Sequence, residues 1–263
     1  MKINECIIKY HEQNRYTKIF DEEGLLGKRE HIKNIIEIAE KIADIWKSDV
    51  DRKFLAICAE HHDDGRVDQY HILGKFWDSK ISHNELGIER FNKFLKTQKD
   101  FKEDTSVKIF KDVILYHGIT DLDKISPESR KYVEIVGAAD HFENACSCVS
   151  YLVKEVETDA KGYIYEHPDA DQTFVSDFVF QHFKDGEIFD KRTYCTTYAE
   201  YVLYAATLAT SSIKKYGDIA KKALLQPGYG YETILLGFKD VFGKTLSEKM
   251  ARTAFEILSS MCK

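Results

Sequence analysis

Apolar residues recur at helical spacing through most of the chain. The segment HIKNIIEIAEKIADIW (31–46) carries one apolar stripe, formed by Ile32, Ile35, Ile36, Ala39, Ile42 and Trp46. Steps of three and four residues are typical of an amphipathic helix. The same pattern predicts further helices over residues 82–97, 105–117, 128–155, 170–184, 195–215, 216–225 and 244–261. Strand-like alternation is scarce, with GYIYE at 162–166 as the best short candidate, so we predict an all-α fold.

A second apolar run, DRKFLAICAEHH (51–62), predicts another helix. Asp49 or Asp51 is placed to cap its amino terminus, and Gly65 is placed to end it. A charged segment at 154–162 suggests a boundary between a core of residues 1–155 and a helical extension of residues 156–263. The two parts can equally form one continuous domain, because no linker rich in glycine or serine separates them.

Composition and charge exclude several broad classes of protein. Of the 263 residues, 43% are hydrophobic and 31% are charged, as in ordinary soluble globular proteins. The formal net charge of -6 argues against a large nucleic-acid-binding surface. The amino terminus lacks the apolar core of a signal peptide, and no apolar run is long enough to span a membrane. We therefore expect a cytoplasmic protein without membrane partners, whose six cysteines, with no CxxC pair, are reduced thiols.

Candidate chemistry begins directly after the apolar run FLAICA, in the sequence HHDDGRVDQYHILGKFWD (61–78). Residues three, four or seven apart share a helix face. His62 follows Cys58 by four residues, so its ring is predicted to point into the core. His61 and Asp64 are expected to be neighbours of a site centred on the next residues, rather than part of it.

Four more ionisable residues fall on apolar faces of other predicted helices, namely His31, His83, His117 and Asp140. His31 lies four residues before Ile35, and His117 and Asp140 each lie four residues after a valine of their own helix. A lone histidine on an apolar face is more often a core residue with a hydrogen bond. Two carboxylates facing the core, Asp63 and Asp140, are costly unless they meet a cation or a metal ion. The set as a whole predicts a metal centre.

The ligand types define the class of metal. Imidazoles and carboxylates without cysteine suit a divalent transition metal ion such as Mn, Fe, Co, Ni or Zn. Six donors exceed one tetrahedral site, so we expect two ions bridged by Asp63, with a mononuclear centre as the alternative. One ion would take His31, His62 and Asp140, and the other would take His83 and His117. Such a pair can deprotonate a water and hold the oxygens of a phosphoryl group.

The order of these residues resembles the H…HD…H…H…D pattern of the HD-domain superfamily of metal-dependent phosphohydrolases. The pattern is carried by His31, His62, Asp63, His83, His117 and Asp140, within residues 25–155. The string HDDGR is similar to HDIGK or HDIGR of that superfamily, and SHNELGIERF is similar to DHxxLGxxxL. The resemblance implies an HD-type helical bundle that hydrolyses a nucleotide or another small phosphorylated molecule.

A narrower resemblance covers GRVDQYHILGKFWDSKISHNELG (65–87), which is similar to the run GRFxQYxxxGTFxDxxSxDHxxLG of a bacterial HD subfamily. It implies positions near the site for Arg66, Gln69, Tyr70 and Asp78. The chain departs from relatives that read RDADKLDI around the last aspartate, because His141 follows Asp140 here. The GYP signature of cyclic-dinucleotide enzymes is absent, so that specificity is not expected.

Substrate binding is predicted from the polar and basic residues that follow the His–Asp pair. The candidates to contact a phosphate are Arg66, Gln69, Tyr70 and Lys75. For Arg66, a salt bridge to Asp64 or Asp68 is an equal alternative. Asp63 and Arg66 are the two residues expected to act in catalysis.

Two other functions are compatible with the same ligand set. According to the resemblance, some HD-fold enzymes use four histidines and two aspartates to hold a di-iron pair that activates dioxygen for C–H or C–P cleavage. A catalytically silent sensor would keep the fold and lose a ligand, whereas all six positions are present here. We therefore expect a phosphohydrolase or phosphodiesterase, with a di-iron oxygenase as the alternative.

Overall fold

The computed structural model describes residues 2–15, 26–74, 81–99, 101–118, 125–157, 173–189, 191–208, 211 and 231–261. All regular secondary structure within these ranges is helical, which confirms the predicted all-α fold for the described part of the chain. The chain divides into two compact units, Met1–Asp140 and His141–Lys263. The division falls inside one long helix, and the domain boundary predicted at 155–156 stays a prediction.

The described helices of the first unit are α1 (Glu5–Gln13), α2 (Leu26–Ile45), α3 (Arg52–His61), α4 (Gly65–Leu73), α5 (His83–Lys96), α6 (Thr105–Tyr116) and α7 (Pro127–Glu157), which continues into the second unit. Those of the second unit are α8 (Asp177–Asp185), α9 (Lys191–Tyr194), α10 (Tyr231–Thr245) and α11 (Glu248–Met261), with further helical residues at 198–208. The helices predicted at 82–97, 105–117 and 128–155 correspond to α5, α6 and α7.

The helix predictions are less accurate in the second unit. The predicted helix 244–261 is shorter than expected, because α10 ends at Thr245 and α11 begins at Glu248. The sequence pattern does not predict α10, where Gly237 and Gly243 lower the helix propensity. In place of the helix predicted at 170–184, α8 begins only after its cap at Ser176. The strand candidate at 162–166 and the helix predicted at 216–225 lie outside the described residues.

Polar caps fix where the helices of the first unit begin. The side chains of Asn4, Asp51, Ser82 and Asp104 accept backbone N–H groups at the starts of α1, α3, α5 and α6. Asp51 was one of the two predicted caps of α3. Helix α2 packs against α3, α4 against α5 and α5 against α6. The core they share includes the fully buried Ile35, Phe91 and Phe110.

Two glycines allow helix ends to approach each other closely. Gly65 does not end α3 as predicted, because α3 ends at His61 and Gly65 begins α4. A Cβ atom on Gly65 would overlap the backbone carbonyl oxygen of His83, at the start of α5. A Cβ atom on Gly137 would overlap the carbonyl oxygen of His117, just after α6. Glycine is therefore required at both positions for helix packing, and both contacts involve residues with candidate ligand side chains.

Candidate metal centre

The six predicted ligands lie at helix ends, in one turn and on two helices of the first unit. His31 is near the start of α2, His62 and His117 are the C-caps of α3 and α6, Asp63 is in the turn between α3 and α4, His83 is the first residue of α5, and Asp140 is on α7. Helix ends carry backbone groups without intrahelical partners, so side chains there are readily oriented by the backbone. Five helices are needed to assemble this set, which no single local motif can supply.

The backbone orients the ring of His62. This residue is fully buried, and its Nδ1 lies 2.7 Å from the carbonyl oxygen of Ala59, in the last turn of α3. Because a carbonyl only accepts, Nδ1 carries a proton, and in the neutral tautomer Nε2 is the nitrogen that has the lone pair. Within the described part of the chain, Nε2 of His62 has no hydrogen-bond partner. An unsatisfied buried polar atom costs about 1–3 kcal/mol, so this nitrogen is suited to a ligand that the protein does not itself supply.

His117 is oriented in the same way at the end of α6. Its Nδ1 lies 3.1 Å from the carbonyl oxygen of Val113 and 3.2 Å from that of Ile114. Burial, followed by the neighbouring His62 and His83, lowers the pKa of His117 to about 3. The ring is therefore neutral near pH 7, and its Nε2 presents a lone pair to the cluster, as a metal ligand must.

The two oxygens of Asp63 face different pairs of histidines. Oδ2 lies 3.9 Å from Nε2 of His31 and 3.9 Å from Nε2 of His62. Oδ1 lies 3.1 Å from Nε2 of His83 and 3.8 Å from Nε2 of His117. The Nε2 atoms of His83 and His117 are 3.4 Å apart. One carboxylate thus joins two groups of imidazoles.

Asp140 approaches the first of these groups from α7. Its Oδ1 lies 3.4 Å from Nε2 of His31 and 3.8 Å from Nε2 of His62. Burial alone raises the pKa of Asp140, but the neighbouring imidazoles of His31 and His62 outweigh it and hold the pKa well below its usual range. Asp140 is therefore a carboxylate near pH 7. Its position one turn after Gly137 depends on the close contact of α7 with the end of α6.

Two cationic side chains lie beside Asp63. Nζ of Lys28 donates to Oδ2 at 3.0 Å, and Nε of Arg66 lies 3.5 Å from Oδ1. Burial raises the pKa of Asp63, but the charges of Lys28 and Arg66 outweigh it, so the pKa falls well below its usual range. Both carboxylates of the cluster are consequently ionised, and they lie beside the neutral imidazole of His117.

The spacing of the ligand atoms fits metal ions. Ligands that share an ion at about 2.1 Å lie roughly 3.0–3.4 Å apart in octahedral or tetrahedral geometry. The group formed by Asp63, His83 and His117 has separations of 3.1, 3.4 and 3.8 Å. The separations around His31 and His62 run from 3.4 to 3.9 Å. For a tetrahedral ion the edges of 3.8 and 3.9 Å would have to shorten by about 0.4–0.5 Å.

Three overlapping sets of buried or half-buried residues have ligand atoms within 4.8 Å of one another. They are His31–His62–Asp63, His62–His117–Asp140 and Asp63–His83–His117. The cluster can therefore bind metal ions, and its donor types match the divalent transition metals expected from the sequence. The number of ions and the division of ligands between them stay predictions.

The other predicted site residues have different positions. Arg66 pairs with Asp63, whereas Asp64 contacts His61 and Tyr10, and Asp68 pairs with Arg90. Gln69 is buried and accepts from Nη1 of Arg66, and Tyr70 is half-buried on the same helix. Lys75 and Asp78 lie outside the described residues.

Sequence reasoning missed Lys28, although a signal for it exists. Lys28 precedes His31 by three residues on α2, so the two share a helix face. The helix-register argument that identified His31 therefore applies equally to Lys28. His61 and Asp64, predicted as neighbours of the site, are both buried and bonded to each other.

Comparison of the chain with protein-family models, with curated protein sequences and with solved structures finds no match. The resemblance to HD-domain hydrolases therefore stays a prediction from the residues alone. Among the described residues, no helix combines the length and the apolar character needed to cross a lipid bilayer.

Proposed function

We propose that the chain is a metal-dependent phosphohydrolase or phosphodiesterase acting on a nucleotide or another small phosphate ester. The order of the ligands, which resembles the HD superfamily, and their convergence in one buried cluster support this proposal. The observation of greatest weight is Asp63, whose two oxygens face two different pairs of histidines. A carboxylate in this position is suited to bridge two ions.

In the proposed reaction, water adds to phosphorus and the ester bond breaks, so that an alcohol and a phosphate are released. A pair of divalent ions held by the two carboxylates and four histidines would lower the pKa of a water molecule and neutralise charge on the phosphoryl oxygens. The chain contributes the geometry of the site. The backbone bonds of His62 and His117 hold their Nε2 atoms towards the cluster before any ion binds, which reduces the reorganisation needed on binding.

Lys28 and Arg66 favour an anionic substrate. Both are next to Asp63 at distances of 3.0 and 3.5 Å. With Asp63 acting as a metal ligand, the ammonium and guanidinium groups remain beside it and can donate to phosphate oxygens. An oxygenase acting on a neutral substrate would have no comparable need for two cations at the cluster.

Gln69 is better suited to position Arg66 than to contact substrate. Its Oε1 accepts from Nη1 of Arg66 at 2.9 Å, and its Nε2 donates to the carbonyl oxygen of Ile81 at 2.9 Å. The side chain is fully buried. We expect Gln69→Ala to raise KM while kcat and the metal content stay near wild type, because Gln69 contacts Arg66 and Ile81 and none of the candidate ligands.

A substrate screen tests the proposal. The full chain is loaded separately with Mn, Co, Ni or Fe and incubated with phosphorylated metabolites, nucleotides and a generic phosphodiester. We expect metal-dependent release of phosphate or of the alcohol product, absent in Asp63→Asn. Oxygen consumption by the iron-loaded protein without phosphate release would instead identify the di-iron oxygenase and overturn the hydrolase.

A further inference from the structure

A second group of ligand-type side chains lies on the other side of the His–Asp turn. His11 on α1 and the pair Glu60 and His61 at the end of α3 have ligand atoms within 4.8 Å of one another. Nδ1 of His11 is 3.2 Å from Nε2 of His61 and 3.5 Å from Oε2 of Glu60. His61 is fully buried, and Glu60 is 9% exposed. None of the three belongs to the cluster around Asp63.

His61 is held in the orientation of a metal-binding histidine. Its Nδ1 lies 2.9 Å from Oδ1 of Asp64, and the hydroxyl of Tyr10 donates to Oδ2 of Asp64 at 2.7 Å. Burial, and then the Asp64 carboxylate, raise the pKa of Tyr10 well above its usual range, so the phenol remains a donor. When a carboxylate accepts from one nitrogen of a neutral imidazole, the other nitrogen has a lone pair, as in carboxylate–histidine–zinc sites. In His61 that other nitrogen is Nε2, which faces His11.

Two of the three separations among these ligand atoms match a tetrahedral ion, and the third lies within 4.8 Å. Two ligands of a zinc ion at about 2.0–2.1 Å lie roughly 3.3–3.4 Å apart. The separations of 3.2 and 3.5 Å from Nδ1 of His11 are both close to that value. The one ring nitrogen of His11, Nδ1, therefore faces both of the other ligand-type groups.

We propose that His11, Glu60 and His61 form a further binding site for one divalent ion of the zinc class, which fastens α1 to the end of α3. Two imidazoles and one carboxylate are a common donor set for zinc and leave a fourth position for water. The side chain of His11 is 16% exposed, so solvent can reach that position. This site needs no catalytic activity and does not depend on the proposed function.

Zinc titration of the chelator-treated full chain tests the proposal. The readouts are bound zinc per chain and the thermal unfolding midpoint, for wild type, His11→Gln, Glu60→Gln and the control Glu12→Gln, which alters an exposed carboxylate on α1. We expect both site variants to bind one zinc fewer than wild type and to show a smaller zinc-induced rise in the midpoint. The control should match wild type in both readouts.

The same titration in an Asp63→Asn background separates this site from the cluster around Asp63. Zinc that Asp63→Asn retains should be lost on adding His11→Gln. If His11→Gln and Glu60→Gln both bind as much zinc as wild type, the second site does not exist, whatever the result for Asp63. Glu60→Gln preserves side-chain shape, so it decides the question even if His11→Gln fails to fold.

Discussion

Two buried clusters meet at the four residues His61 to Asp64: the first surrounds Asp63, and the second consists of His11, Glu60 and His61. They differ in whether the protein itself supplies hydrogen-bond partners for their histidine nitrogens. In the first cluster, Nε2 of His62 has no hydrogen-bond partner within the described residues. In the second, both ring nitrogens of His61 are bonded, one to Asp64 and one to His11. The first cluster therefore gains much from a metal ion, whereas the second exchanges a hydrogen bond for coordination. We expect a chelator to empty the second site first.

The largest effects should separate Asp63 from its neighbour Asp64. Asp63→Asn removes the carboxylate that both groups of histidines share, so metal binding at that cluster and phosphate release should be lost. The loss should exceed the roughly 10- to 100-fold typical of changes to the partners of metal ligands. Asp64→Asn should retain both properties, since Asp64 contacts Tyr10 and His61 instead. Elemental analysis measures the metal content, and the hydrolysis assay measures phosphate release. If Asp63→Asn and Asp64→Asn lost metal and activity to the same extent, the two clusters would not be distinct.

A smaller effect is expected at Lys28. Lys28→Gln removes the ammonium that contacts Asp63, and a hydrogen bond to a charged group contributes about 1.5–3 kcal/mol. We expect kcat/KM to fall about 10- to 100-fold through KM. Lys33→Gln is the matched control, because Lys33 is on the same helix and pairs with the exposed Glu30. An unchanged KM in Lys28→Gln would show that Lys28 does not contribute to substrate binding.

Gly137 tests whether the first cluster depends on helix packing. The added Cβ of Gly137→Ala would overlap backbone atoms of His117, and overpacking costs about 1–3 kcal/mol. Gly243→Ala has nothing within 4 Å of the new Cβ and should be slightly stabilising. Urea unfolding compares the two variants. Equal stability would contradict the close contact between α7 and the end of α6.

The effect at Tyr10, which bonds to Asp64 beside the second cluster, should be confined to stability. Tyr10→Phe removes the hydroxyl that donates to Asp64, which should lower the free energy of unfolding by about 1–3 kcal/mol. Metal content at the Asp63 cluster should not change. Denaturant unfolding and elemental analysis check both statements. Loss of metal from the Asp63 cluster in Tyr10→Phe would mean that the two clusters are coupled.

Helix register predicted four of the six candidate ligands that the structure brings together in the first cluster. His31, His62, His117 and Asp140 each lie three, four or seven residues from an apolar position, which predicts an inward side chain. Register gives no distances between helices, so the pairing of Arg66 with Asp63 and the contact of Lys28 were not predicted. Those contacts depend on how α2, α3 and α4 are arranged in space.

The second cluster was not predicted, because helix register gives no contacts between different helices. His11 and His61 are 50 residues apart and on different helices. His61 was interpreted only as a neighbour of the site, because a residue that flanks a metal ligand is more often a partner of that ligand or a surface residue than a ligand itself. Gly65 was misassigned as a helix stop because its role, close approach to the backbone of His83, is a tertiary contact.

The most direct test of the metal centre is an anomalous difference map from crystals grown with manganese. The proposed bridging role of Asp63 predicts two peaks about 3.5–4 Å apart, one next to each oxygen of that carboxylate. His31, His62 and Asp140 should surround one peak, and His83 and His117 the other. An absence of anomalous density among these six side chains would contradict the account.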